Sequence, residues 1–169
     1  MNRLALFGRT LGALALGFAT LGAVPDAGAR ALGPVLASHD WLNGAPTASS
    51  LGGNVVIVDV FTFGCFNCKN VTPNLRALNK QHGVKILGIH SPETPYEQDR
   101  QNVVANLASL GVVWPVAVDN DFALWKSYGV SAWPTQLIFD KHGHLRRTVV
   151  GDSQDADVDA TVKALLAES

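Results

Sequence analysis

The chain has 169 residues, of which 47% are hydrophobic and 16% charged, enough apolar material for one globular domain with a proper core and too much for disorder to be the default. Its formal net charge is −1, with no run of Lys or Arg, so neither nucleic acid nor an anionic membrane surface is favoured as a partner. A monomer of simple solubility is expected.

Residues 1–29 read as an export signal. Arg3 and Arg9 precede an apolar run from Leu11 to Val24, and Ala27-Gly28-Ala29 offers small residues at a cleavage site. The run is shorter than the about 20 apolar residues a spanning helix needs, although an uncleaved anchor is the alternative. Cleavage after Ala29 would leave a mildly acidic chain in a periplasmic or otherwise exported location. Residues 30–53 are turn-rich and are expected to form an entry arm to a sheet, and residues 54–169 the folded domain.

Within that domain NVVIVDVF (Asn54 to Phe61) is a continuous apolar run between glycines, which predicts a strand buried on both faces. From Cys65 the period changes: Val71, Leu75 and Leu78 recur at helical spacing, and Gly83 closes the segment. KILGIH (Lys85 to His90) predicts a second strand, Tyr96 to Leu110 a helix closed by Gly111, VVWPVAV (Val112 to Val118) a third strand and DNDFALWKSYG a short helix. TQLIF (Thr135 to Phe139) and LRRTVV (Leu145 to Val150) predict the last strands, with a hairpin turn at Gly143 in KHGH. The C-terminal segment predicts a helix capped by Asp152 or Ser153, with an apolar stripe of Val158, Val162, Leu165 and Leu166. Strands alternating with helices and ending in a hairpin indicate an α/β sandwich around a mixed sheet.

The chemistry centres on FTFGCFNCKNVTP, which holds the chain's two cysteines, Cys65 and Cys68. A zinc site would need further Cys or His ligands at close spacing, and His39, His82, His90, His142 and His144 are scattered, so no metal is expected. A bridge over two intervening residues closes too small a loop to stabilise a fold much. A redox pair remains. Cys65 stands where a strand gives way to a helix, and the unpaired N–H groups and dipole of a helix start lower a thiol's pKa from near 8.5 to roughly 3.5–7.5. Cys68 follows one helical turn later, within reach of a mixed disulfide on Cys65. Lys69 either adds positive potential or is an ordinary surface lysine.

Cys65-Phe66-Asn67-Cys68-Lys69, with Pro73 after it and Asp59 before it, resembles the active-site segment of the thioredoxin superfamily. YGVSAWPTQLIFDKHGHLRRTVVG (Tyr128 to Gly151) resembles that family's distal half, and the helix between the two halves is similar to the insertion of exported TlpA/ResA-type members; HSPE…NVVANL is also similar to the thioredoxin-like domains of DipZ-type membrane reductases. The resemblance implies a thioredoxin-like fold, a central mixed β-sheet flanked by helices, with an inserted helix between the Cys-x-x-C half and the cis-Pro half. It further implies a cis Trp133-Pro134 bond facing the cysteines, where Trp133, Pro134, Phe66 and Asn67 would meet an extended substrate strand. Asp59 would lie behind the cysteines as acid/base for Cys68, and Glu93 would be the acid that faces the active site from the insertion. Gly64 departs from the family, many of whose members carry an aromatic before the first cysteine; Phe61, Phe63 and Trp133 are the candidates to replace that surface.

These residues lead to an extracytoplasmic thiol–disulfide oxidoreductase that reduces protein disulfides through Cys65 and Cys68, needs no cofactor, and draws electrons from a membrane-embedded donor. Two other readings stay open. Thr62-x-x-Cys65 matches part of a peroxiredoxin pattern, although Val58 stands where that pattern has proline. A non-catalytic thiol- or copper-binding module is the other, although copper-delivering relatives usually have three residues between the cysteines.

Overall fold

The computed structural model describes residues 31–168, so the reading of residues 1–29 as an export signal lies outside the described residues. The 55–61 run forms strand β2 (Val55–Phe61), and all seven of its side chains are buried because helices cover both faces. It lies at the centre of a six-stranded sheet. Beside it run β3 (Val84–His90) and then β4 (Val116–Val118), both parallel, since each is reached by a helical crossover. On its other side β5 (Thr135–Phe139) and β6 (Leu145–Val150) are antiparallel, joined through the predicted turn, where Gly143 takes a φ of 80°. With β1 (Trp41–Leu42) at one edge, the order across the sheet is β1-β4-β3-β2-β5-β6.

The outermost strand β1 (Trp41–Leu42) comes from the turn-rich arm and pairs antiparallel with β4, with the short helices α1 (Gly33–Leu36) and α2 (Ala48–Leu51) on either side of it in the chain. The Tyr128 hydroxyl ties the arm down, accepting from the Val35 N–H and donating to the Ala31 carbonyl. The alternation of strand side chains divides the core. Ile57, Phe61 and Ile138 point to the face covered by α3 (Phe66–Leu78), α5 (Arg100–Leu110) and α7 (Asp155–Ala167), while Val56, Val58, Val60, Leu137 and Phe139 pack toward α1, α2 and α6 (Ala123–Ser127).

The structure departs from the sequence expectation at three places. The helix expected from Tyr96 to Leu110 is two helices, α4 (Pro95–Gln98) and α5, because Asp99 leaves helical geometry at ψ 119° and caps α5 by accepting from Gln101 and Asn102. Only the last three residues of VVWPVAV are strand, since the carbonyls of Val112 and Trp114 accept from the Asn43 side chain instead of a neighbouring strand. Neither Asp152 nor Ser153 caps α7: Asp152 accepts from Asn70, Ser153 has a φ of 61°, and Gln154 holds the cap position without a side-chain bond.

Candidate active site

Strand β2 ends at Phe61 and α3 begins at Phe66, and the four residues between them make the turn that carries the site. Cys65 is the N-cap of α3 at φ −68° and ψ 122°, extended as that position requires. Its Sγ accepts from the Cys68 N–H at 3.1 Å, the bond that Ser or Asp makes at other helix starts. The two cysteines are joined as a disulfide. Their exposure differs: Cys65 is half-buried at the surface, whereas Cys68 is buried among Val71 and Leu75. A substrate sulfur can therefore reach Cys65 and not Cys68. Phe66 and Asn67, between them, are exposed, and so is Lys69.

Asp59 lies on the same face of β2 as Ile57 and Phe61, beneath α3 and on the side of Cys68. Asp59 is 3% exposed and its Oδ1 has no hydrogen-bond partner. Burial in this apolar layer raises its pKa to about 7, because the ion would lose its hydration without finding a cation. Gln136 stands opposite it on β5, also buried, with its own Oε1 unpartnered.

The Trp133-Pro134 bond is cis, as the resemblance implied. The Trp133 indole N–H donates to the Ser91 carbonyl at 3.0 Å, and its ring lies 4.4 Å from that of Trp125. Ser91 is itself held through its hydroxyl by the buried carboxylate of Asp119, which also accepts from the Leu124 and Trp125 N–H groups at the start of α6.

Glu93 does not turn its side chain into the interior. Its side chain is exposed in the loop before α4, because the chain uses a capping box at Thr94 to Glu97 and turns the fourth residue of that box inward. The acid of this loop that turns inward is Glu97, 4% exposed, whose Oε2 accepts from the Glu93 and Thr94 N–H groups. Its Oε1 fills the space where Gly64 lacks a side chain: a Cβ on Gly64 would lie 1.9 Å from it. The Thr94-x-x-Glu97 spacing is the sequence signal that distinguishes this acid from Glu93.

His90, at the end of β3, is fully buried between Phe61 and Phe63, with Nε2 3.3 Å from the Thr62 hydroxyl and Nδ1 unpartnered. Burial lowers its pKa to about 4, against the opposing pull of the Glu97 charge. Phe61 and Phe63 thus belong to the interior and do not replace the missing surface aromatic. Exposed aromatic rings around this turn are Phe66, 74% exposed, and Tyr96, 63% exposed, which stands edge-on to Phe63.

Comparison with known proteins agrees with this geometry. The solution structure of a thioredoxin-like protein in the oxidised form superposes with a TM-score of 0.74 at 26% identity, covering 83% of this chain and 98% of the other, so the fold is thioredoxin-like. The thiol-disulfide oxidoreductase YkuV of Bacillus subtilis is 26% identical over 132 residues, 76% of this chain and 89% of that protein. Protein DipZ of Mycobacterium bovis is 32% identical over 120 residues, 69% of this chain. The chain spans 17% of the length of DipZ, so the similarity concerns one part of that protein. The model of the AhpC/TSA family matches residues 35–148, a stretch that holds the cysteine turn, Asp59, Glu97 and the cis proline together. On that match the chain belongs to the AhpC/TSA family.

Proposed function

We propose that this chain is an extracytoplasmic thiol–disulfide oxidoreductase that reduces protein disulfides. The observation that carries the reading is the asymmetry of the pair: a surface sulfur capping a helix N-terminus, and a second sulfur buried one turn later. In the dithiol form the Cys65 thiolate attacks a substrate sulfur, forming a mixed disulfide and releasing the first substrate thiolate. Cys68 then gives its proton to the Asp59 carboxylate and attacks the Cys65 Sγ, which releases the second substrate thiolate and leaves the Cys65–Cys68 disulfide. A pKa of about 7 suits Asp59 to both taking and returning that proton near neutral pH. Trp133 and Pro134 with Phe66 and Asn67 form the surface for the substrate strand.

Residues 1–29 act as the export leader of this reading, residues 30–53 as the arm and residues 54–169 as the catalytic domain; a membrane-embedded dithiol donor restores the reduced form. The test uses the reduced chain against a model protein disulfide, with Cys65→Ser and Cys68→Ser variants. Electron transfer by the wild type, none by Cys65→Ser, and a trapped mixed disulfide with Cys68→Ser are expected. Inertness toward disulfides, together with oxidation of Cys65 by peroxide to a sulfenic acid, would replace this reading with a thiol peroxidase.

A further inference from the structure

The turn before Cys65 shows a carboxylate where a side chain would ordinarily be. Gly64 has no Cβ, and Glu97 Oε1 occupies that volume; an added Cβ would also lie 3.1 Å from Glu97 Cδ. Glu97 is held there by two backbone N–H donors on its other oxygen, so its position belongs to the capping box of α4 and is not a loose rotamer. Cys65 is the next residue along from Gly64 and itself the cap of α3. Two opposed influences therefore meet at this turn: the start of α3 favours an anion on Cys65, and the buried Glu97 carboxylate packed against the preceding residue opposes a second negative charge nearby.

We propose that Gly64 and Glu97 act as a matched pair, the glycine admitting the carboxylate and the carboxylate restraining the Cys65 thiolate, so that the Cys65–Cys68 couple is held on the reducing side. A destabilised thiolate makes the dithiol form a better electron donor, because the reduced state is the one that carries the charge. Other ionisable groups around the turn are His90, whose burial keeps it neutral, Asp59 beneath Cys68, and the exposed Lys69 and Glu93. Of these, Glu97 is the one placed against the peptide unit that precedes the reactive sulfur. This rests on the thiol–disulfide reading above and supplies its direction.

The test measures, in the full chain, the Cys65 thiol pKa from the pH dependence of alkylation, and the reduction potential against glutathione buffers. Glu97→Gln keeps the shape and removes the charge; it should lower the thiol pKa by about one unit and shift the equilibrium with glutathione about tenfold toward the dithiol, about 30 mV less reducing. Gly64→Ala should expel the carboxylate and shift both quantities the same way. The double variant should go no further than the larger single effect, since both changes remove one interaction. A glutathione equilibrium unchanged within twofold and a thiol pKa unchanged within about 0.3 unit in Glu97→Gln, with native far-ultraviolet circular dichroism, would overturn the pairing. Strict additivity of the two variants would do the same. A couple that fails to equilibrate with glutathione at all would instead count against the oxidoreductase reading, so the two failures are distinguishable.

Discussion

Asp59 on β2 faces Gln136 on β5 directly across the antiparallel ladder, and each buries an oxygen that has no hydrogen-bond partner. Two facing acceptors are mutually satisfied when one of them carries a proton, which matches the raised pKa of Asp59. A group of this kind links stability to pH. Between the unfolded value of 3.8 and the folded value of about 7, the native state holds a proton that the unfolded chain has lost, so stability falls as pH rises through that window. The full cost above pH 7 is on the order of 4 kcal/mol. Asp59→Asn should therefore be more stable than the wild type at pH 8 by a sizeable part of that amount, and gain nothing from this source at pH 3. Urea unfolding of the oxidised protein at the two pH values measures it. The same variant should slow release of substrate from the mixed disulfide, since Cys68 loses its proton acceptor.

His90 has the opposite slope. Its folded pKa of about 4 lies below the unfolded 6.5, so the unfolded chain binds the extra proton and stability is lost as pH falls from 6.5 toward 4. The contribution is on the order of 3 kcal/mol. Over that interval Asp59 and His90 offset each other in the wild type. His90→Gln should remove one side of the balance and leave a protein whose stability declines from pH 4 to pH 6.5 relative to wild type. Parallel curves for the two proteins would show that His90 is not held neutral.

Much of this arrangement was legible in the sequence, and the exceptions have physical reasons. The limits of β5 and β6 follow from Pro134, Gly143 and Gly151, residues that restrict or release the backbone regardless of tertiary context. The place of the 65–68 turn at a strand-to-helix junction follows from the change of period at Cys65. Hydrophobic period alone does not show where a side chain will take over a backbone partner, and this is where the expectations failed. Asn43 takes two carbonyls from the 112–115 segment, and Asp99 takes two N–H groups from within the expected 96–110 helix. The exchange of Glu93 for Glu97 has the same origin, since the capping box decides which acid turns inward. His90 reads as a strand-end histidine in the sequence; its burial depends on Phe61 and Phe63, which lie across the sheet's parallel pair and the following turn.

The carboxylate of Asp119 accepts three hydrogen bonds, from the Ser91 hydroxyl and from the Leu124 and Trp125 N–H groups, while only 2% exposed. Asp119→Ala would leave those donors unpaired in the interior. A loss of about 3 kcal/mol is expected, at the upper end of ordinary substitutions because charged acceptors make the stronger bonds. Because the Ser91 carbonyl also holds the Trp133 indole, the loss should be accompanied by a change in tryptophan fluorescence of the folded protein. A destabilised variant with unaltered native fluorescence would separate Asp119 from the positioning of Trp133.

Phe66 exposes its ring at the start of α3, next to Cys65, and Tyr96 exposes its ring at the start of α4, edge-on to Phe63 of the same turn. Neither ring is needed for the core, so their replacement should leave stability nearly unchanged, within about 0.5 kcal/mol. A protein substrate would bury them on docking, and burial of one such ring is worth about 1.5–3 kcal/mol when complete. Phe66→Ser and Tyr96→Ser should each raise KM for a model protein disulfide by about tenfold, an energy of about 1.4 kcal/mol that reflects partial burial. The rate with a small linear disulfide such as oxidised glutathione, which is too small to span both rings, should stay as it is. Equal losses toward the large and small disulfides would place these residues in the chemistry of Cys65 itself and not in the recognition of a polypeptide.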